Sequence, residues 1–196
     1  MIDRRSVISA ALAAIAAVSS SRQALAQAGM SRITAYGFSF PGLAGGDIRL
    51  SEFAGKPILI VNTASLCGFT PQYGGLQELW TEFHSRGLMI IGVPSNDFGS
   101  QEPGGAAEIT ATAQHHHVAF PIAAKAAVKG PNAHPFYKWA ADARPKDVPR
   151  WNFHKYLIGR DGYIADVFPE SVVPVDTRVK TAIARALTQS VSERAG

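Results

Sequence analysis

The chain has 196 residues, a length that suits one domain with an ordinary hydrophobic core. Hydrophobic residues make up 46% of it and charged residues 17%, which is enough apolar content for such a core. The formal net charge is +4 and falls to +2 without the first 26 residues, a value that gives no reason to expect nucleic acid or an anionic membrane as a partner. A single cysteine excludes an internal disulfide.

The first 26 residues have the parts of a secretory signal peptide. These parts are a basic pair, an uncharged alanine-rich stretch and a small-residue cleavage motif: Arg4 and Arg5, residues 7–18, and residues 24–26. We predict cleavage before Gln27, export to the bacterial periplasm, and a net charge of +2 on residues 27–196, because the signal carries three arginines and one aspartate. The arginine pair resembles a twin-arginine signal, so both export routes stay open. The apolar stretch is too short to cross a bilayer, and no stable membrane anchor is expected.

Cys67 lies in a polar turn between a predicted buried strand and a predicted helix. Residues 57–61 form a continuous apolar run, which is typical of a parallel strand covered on both faces. Helical spacing begins near residue 72, and we predict that Thr70 caps this helix with Pro71 at its first position. Backbone N–H groups and the helix dipole there favour a thiolate. The alternative is an inert core cysteine, which the polar surroundings disfavour.

The other elements predict an α/β fold on the thioredoxin-like plan, with a central mixed sheet flanked by helices, in a single domain of residues 27–196. The predicted strands besides 57–61 are residues 36–40, 48–50, 88–93, 120–122, 153–158 and 163–167. The predicted helices are residues 72–85, which stop at Gly87, residues 105–117, residues 136–143, and a closing helix that Asp176 caps. A βαβ half is thus followed by a ββα half.

Three segments, built around Cys67, Asn96 and Trp151, resemble the motifs of glutathione peroxidases in order and in spacing. They are residues 62–73, 92–104 and 151–158, and the similarity runs from about residue 36 to residue 187. The resemblance implies an oxidoreductase that acts on peroxide as acceptor and reduces hydrogen peroxide or organic hydroperoxides. It implies that the Cys67 thiolate attacks the terminal peroxide oxygen and becomes a sulfenic acid.

The same resemblance implies three further site residues. Trp151 and Asn152 supply uncharged N–H donors beside the sulfur, against the alternatives of a core aromatic and a turn residue. The family's usual glutamine falls at position 97, where this chain has Asp97. A carboxylate close to the sulfur disfavours the thiolate by like-charge repulsion. Three arrangements are therefore possible: Asp97 is protonated, or it points away while Asn96 or Gln72 supplies the hydrogen-bond donor, or it relays a proton to the departing oxygen. We favour an Asp97 side chain that points away.

Turnover is expected to need an external thiol. Many family members carry a resolving cysteine on the helix after the second motif, but residues 109–114 contain none, and Ser95 replaces the cysteine common in that motif. Glutathione or a thioredoxin-like protein is the expected reductant, with no cofactor. The segment between Pro131 and Trp151 lacks the loop that tetrameric members use, which implies a monomer with an open sulfur suited to lipid hydroperoxides.

Two other interpretations are weaker. Residues 115–117 are three adjacent histidines, which point in different directions from a helix and have no acidic or cysteine partner at ligand spacing, so no metal site is predicted. A thioredoxin-fold redox sensor or binding protein with little turnover is the alternative function, since position 97 has lost its glutamine. Copper delivery and disulfide exchange are poorer still, because both need a second cysteine.

Overall fold

A computed structural model describes residues 33–189 of the chain. The predicted signal peptide of residues 1–26 and the predicted start of the domain at residue 27 lie outside the described residues. From Ala35 onward the described residues belong to one compact unit. Within residues 33–189, no helix combines the length and the apolar character that crossing a membrane requires.

The described residues form six strands and four α-helices. The strands are β1 (Ser39–Pro41), β2 (Asp47–Arg49), β3 (Ile58–Thr63), β4 (Met89–Pro94), β5 (Lys155–Ile158) and β6 (Ile164–Phe168). The helices are α1 (Gln72–Phe83), α2 (Ala106–His115), α3 (Pro135–Ala143) and α4 (Thr177–Thr188). Short 3-10 helices cover Ala35–Gly37, Leu50–Phe53 and His84–Arg86.

A mixed four-stranded sheet, with strand order β4-β3-β5-β6, forms the centre of the fold. Strand β3 runs parallel to β4, with Ile58 opposite Met89, and antiparallel to β5, with Ile58 opposite Ile158. Strands β5 and β6 form the predicted antiparallel hairpin. The parallel β3–α1–β4 unit and the following hairpin confirm the predicted order of elements. Strands β1 and β2 pair in a separate antiparallel ribbon.

Strand β3 is buried along its whole length because its side chains alternate between two apolar cores. Ile58 and Ile60 pack in one core, together with Phe136 and other residues of α3. The second core takes Leu59 and Val61, together with residues of α1 and α4: Leu76, Leu79, Val179 and Ile183. Helices thus cover both faces of the sheet, which confirms the predicted layers.

Two predicted strands are wrong in extent. The predicted strand 36–40 begins as a 3-10 turn, and the strand itself starts only at Ser39. Tyr36 is held in this turn by its hydroxyl, which donates a hydrogen bond to the Arg160 carbonyl at 2.7 Å. The predicted strand 120–122 contains one isolated bridge, which pairs Ile122 with Gly92. Pro121 has no N–H to donate, so a continuous ladder cannot form there.

The first α-helix ends as the sequence predicts. A 3-10 turn follows α1, and Gly87 then adopts a φ of 111°, a left-handed conformation that glycine tolerates and other residues rarely adopt. The last helix begins at its predicted cap, since Asp176 accepts a hydrogen bond from the backbone N–H of Arg178. Both signals are local, and both are confirmed.

Candidate active site

Cys67 lies where β3 gives way to α1, as the sequence predicts, but its residue is nearly buried. Its relative exposure is 7%, and it packs in the second core with Tyr73 and Phe153. The neighbouring Leu66 is 68% exposed. The expectation of an open site is therefore wrong for this residue, because Cys67 packs in the apolar cluster that anchors the turn.

The backbone after Cys67 provides a donor to the sulfur. The N–H of Phe69 donates to Cys67 Sγ at a nitrogen–sulfur distance of 3.3 Å. This N–H precedes α1, where unpaired backbone donors and the helix dipole stabilise negative charge. The structure thus contains one of the interactions that the sequence analysis expects to favour a thiolate.

Thr70 braces the cysteine turn and does not cap the helix. Its Oγ1 accepts a hydrogen bond from the N–H of Cys67 at 3.1 Å and donates to the carbonyl of Ala64 at 2.9 Å. Pro71 occupies the cap position, and no side chain caps this helix. The predicted cap is wrong because the hydroxyl satisfies polar groups earlier in the turn, where the backbone has no helical partner.

The second motif closes into a loop beside the cysteine turn. Asn96 Oδ1 accepts the N–H of Glu102 at 2.9 Å and so joins the two ends of the loop. The carbonyl of Gln101 accepts the N–H of Leu66 at 3.0 Å, which attaches the loop to the residue before Cys67. The structure therefore brings the first two motifs into direct backbone contact.

The Asp97 carboxylate is engaged by a different part of the chain. Its Oδ2 accepts the backbone N–H groups of Val128 and Lys129 at 2.6 and 3.1 Å. A carboxylate suits this position because it only accepts hydrogen bonds. Asp97 therefore binds the backbone of residues 128 and 129, and this arrangement favours the second of the three possibilities, a side chain that points away.

The third motif is attached to the end of β3 through Asn62. Its Nδ2 donates to the carbonyl of Trp151 at 3.0 Å, and its own carbonyl accepts the N–H of Phe153 at 2.6 Å. Phe153 has a φ of 68°, which turns the chain sharply between Asn152 and β5. This turn brings Trp151 and Asn152 to the edge of the sheet where Cys67 lies.

Asn152 is fully buried, and its amide is engaged within the site. Its Nδ2 donates to Gln101 Oε1 at 3.0 Å and to the carbonyl of Phe98 at 3.4 Å. Trp151 is partly exposed, and its ring packs against Phe98 with the centroids 5.9 Å apart. The roles of Trp151 and Asn152 as donors to the sulfur stay predictions; in this structure the Asn152 amide connects the second and third motifs.

Sequence reasoning missed two buried polar residues around the site. Glu102 is fully buried, and its Oε2 accepts the Ser65 hydroxyl at 3.1 Å, while burial raises the pKa of its carboxyl. Lys155 is also fully buried and donates to the Phe153 carbonyl at 2.6 Å. Burial lowers the pKa of Lys155 to about 7, against the opposing effect of the Glu170 charge. A charged residue inside an otherwise apolar strand was the available signal for Lys155.

The histidine run ends helix α2 and forms no cluster with other ligands. Among residues 33–189, no group of three or more histidine, cysteine, aspartate or glutamate side chains lies close enough together to hold a metal ion. His116 stacks on Tyr73, with ring centroids 5.6 Å apart. His116 therefore packs against an aromatic ring, and the three histidines do not form a metal site with other described residues.

Comparison with known proteins agrees with this geometry. The glutathione peroxidase family model matches residues 35–141, which include the first two motifs and end before Trp151. The hydroperoxy fatty acid reductase gpx1 of Synechocystis sp. is 46% identical over 142 residues, which cover 67% of this chain and 83% of that protein. The glutathione peroxidase-like peroxiredoxin GPX5 of Chlamydomonas reinhardtii is 41% identical over 143 residues, which cover 71% and 88%.

A solved structure shows the same architecture. The crystal structure of Trgpx in apo form superposes with a TM-score of 0.67 at 33% sequence identity, covering 81% of this chain and 97% of that one. This match confirms the predicted thioredoxin-like fold. The family model and the relatives together confirm the resemblance on which the site was predicted: this chain belongs to the glutathione peroxidase family, and it is an oxidoreductase that acts on peroxides with a thiol as reductant.

Proposed function

We propose that Cys67 is the residue that reacts with the peroxide. The observation that carries this assignment is the Phe69 N–H donated to Sγ at 3.3 Å, at the start of a helix and inside the family's first motif. This donor stabilises the thiolate, which is the nucleophilic form of cysteine. The chain has no other cysteine, so no second thiol within it competes for the role.

The oxidation step follows from thiolate chemistry. The Cys67 sulfur attacks the terminal oxygen of the hydroperoxide, an S–O bond forms, and the O–O bond breaks. The departing oxygen takes a proton and leaves as water or an alcohol, while the sulfur becomes a sulfenic acid. The peroxide is reduced by two electrons, and the cysteine is oxidised by two.

The reduction step uses two external thiols and no cofactor. The first thiol attacks the sulfenic sulfur, an S–S bond forms, and water leaves. The second thiol attacks this mixed disulfide, carries away the first thiol as a disulfide, and restores the Cys67 thiolate. Glutathione and a thioredoxin-like protein both meet these requirements. A chain with one cysteine favours this cycle over one through an internal disulfide.

We propose fatty-acid hydroperoxides as the preferred substrates. Leu66, next to Cys67, exposes 68% of its surface, and an exposed leucine beside the reactive residue offers apolar contact to an acyl chain. The relative from Synechocystis sp. is itself named a hydroperoxy fatty acid reductase. We further propose that the protein is exported to the periplasm, which the sequence of residues 1–26 supports, and that it acts as a monomer, which the short segment between Pro131 and Trp151 supports.

A donor screen tests the proposed cycle. Purified protein is given hydrogen peroxide or a fatty-acid hydroperoxide, together with glutathione, a thioredoxin or a periplasmic dithiol protein, and peroxide consumption is followed over many turnovers. We expect sustained consumption with at least one donor and none in Cys67→Ser. A single equivalent consumed with every donor supports the alternative sensor function and contradicts the cycle.

The substrate preference has its own test. Leu66→Ser is expected to raise the KM for a fatty-acid hydroperoxide and to leave the rate with hydrogen peroxide unchanged, because only the former contacts the leucine. Val175→Ser, at another exposed apolar position, is the matched control. An equal loss with both peroxides means that Leu66 supports the turn and does not select the substrate.

A further inference from the structure

Lys155 is a charged residue in the interior of the protein. It is the first residue of β5, is fully buried, and lies opposite Val61 of β3. Because neighbouring residues on a strand point to opposite faces, Lys155 shares its face of the sheet with Leu157, which packs in the second core. Val61 and Cys67 pack in the same core. The Lys155 side chain therefore lies on the face of the sheet that is covered by the core of the reactive cysteine.

The loss of water around the Lys155 ammonium is poorly compensated. Among residues 33–189, Lys155 takes part in no ion pair. Its Nζ makes one hydrogen bond, which it donates to the Phe153 carbonyl at 2.6 Å. A buried ammonium without a carboxylate partner is destabilising relative to an apolar side chain of similar volume. A contribution to stability therefore does not account for a lysine at this position.

The single partner of Lys155 is the residue at which the chain turns after Trp151 and Asn152. Phe153 has a φ of 68°, which is rare for a bulky residue and persists only where the surroundings hold it. Its carbonyl is held by Lys155, and its N–H is held by the Asn62 carbonyl at 2.6 Å. The Asn62 side chain also holds the Trp151 carbonyl, at 3.0 Å. Buried polar side chains thus fix both ends of this turn.

We propose that Lys155 is a positioning residue for the peroxidase reaction, because its amine fixes the turn at Phe153. This turn carries Trp151 and Asn152, the two predicted donors to the sulfur. The inference rests on the proposed reaction of Cys67 with peroxide. Lys155 acts through the turn and transfers no proton. An amine donates a hydrogen bond in both of its protonation states, so the contact persists when Lys155 is neutral.

Lys155→Met separates positioning from stability. Methionine has a similar length but no hydrogen to donate, so the Phe153 carbonyl loses its partner. The readouts are the second-order rate constant of Cys67 oxidation by stoichiometric hydrogen peroxide in stopped flow, and the melting temperature at pH 6. We expect oxidation to slow by about 10- to 100-fold, since a displacement of about 1 Å in a site has an effect of this order. The melting temperature should equal or exceed that of the parent, because a buried charge is removed.

Tyr156→Phe is the matched control on the same strand. Tyr156 packs in the other core, and the substitution removes a hydroxyl that donates to the Asp147 carbonyl at 2.9 Å. We expect this variant to have a lower melting temperature and the oxidation rate of the parent. A Lys155→Met protein that oxidises at the parent rate, or whose melting temperature falls together with its rate, overturns the proposal.

A double-mutant cycle tests whether Lys155 acts through the turn. In a Trp151→Phe/Asn152→Leu background both predicted donors are missing, so Lys155→Met should slow oxidation by less than about 3-fold there. An equal loss in both backgrounds means that Lys155 acts elsewhere and contradicts the proposal. The parent protein distinguishes the two levels of inference. A parent that reacts no faster than free cysteine refutes the function of Cys67, whereas a fast parent with a fast Lys155→Met variant refutes only the role of Lys155.

Discussion

Thr70→Val removes the brace of the cysteine turn and should affect both stability and reaction rate. Valine has nearly the shape of threonine but has no hydroxyl, so the N–H of Cys67 and the carbonyl of Ala64 both lose their partner. Both hydrogen bonds are buried. The Phe69 N–H that faces the sulfur belongs to the same turn, so a loosened turn also weakens this donor.

The magnitude follows from the two groups left without partners. A buried backbone group without a partner costs about 1–3 kcal/mol, so the loss of two partners in Thr70→Val should lower the free energy of unfolding by roughly 2–6 kcal/mol. Thr70→Ser keeps the hydroxyl and loses one methyl group, which costs about 1 kcal/mol. The difference between the two variants therefore reports the hydrogen bonds and excludes most of the packing change.

Urea unfolding measures the stability term, and stopped-flow oxidation of Cys67 measures the functional term. We expect the order parent, Thr70→Ser, Thr70→Val for both quantities, with the larger step between the last two. If the valine variant is as stable and as reactive as the serine variant, the hydroxyl does not brace the turn, and the account of the cysteine turn is wrong.

Three further predictions concern buried groups and their pH dependence. The pKa of Lys155 is lowered to about 7 in the folded protein, whereas a lysine in the unfolded chain has a pKa of about 10.4, so the unfolded state binds more protons between these two pH values. The free energy of unfolding should therefore rise with pH across this window, by up to about 1.4 kcal/mol per pH unit. Urea titrations of Lys155→Met should show a flatter rise. Burial and the Lys155 charge lower the pKa of His154 to about 4, so the free energy of unfolding should fall as the pH drops from about 6.5 towards 4. His154→Gln should remove this loss. A variant that is as sensitive to acid as the parent would contradict this prediction. Asn152→Leu should slow Cys67 oxidation more than it lowers the melting temperature, because the amide connects two motifs of the site; a change in melting temperature alone would assign it a purely structural role.

The parts of the fold that the sequence predicts well depend on local patterns. Strands β3 and β4 follow from uninterrupted apolar runs, and the end of α1 follows from Gly87, whose φ of 111° few other residues adopt. The prediction of a strand at residues 120–122 is wrong because this segment has the composition of a strand but Pro121 has no backbone N–H to donate. The composition of a segment does not show which hydrogen bonds its backbone can form.

The site divides in the same way. The position of Cys67 between strand and helix is a local feature, and the sequence predicts it correctly. The burial of Cys67 and the contact of Gln101 with Asn152 are not local, since Cys67 packs against distant residues and the two amides are separated by 51 residues along the chain. The same holds for Asp97, whose partners lie 31 and 32 residues further on. Such contacts depend on how loops pack, and no spacing rule predicts them.

The most direct test of the central claim is the rate at which Cys67 reacts with one equivalent of hydrogen peroxide. Stopped-flow kinetics with the parent protein, followed by trapping of the sulfenic acid and mass spectrometry, identifies both the rate and the residue. We predict a second-order rate constant orders of magnitude above that of free cysteine at the same pH, with the oxidation located on Cys67. A rate equal to that of free cysteine would contradict the assignment of this residue as the peroxidase centre.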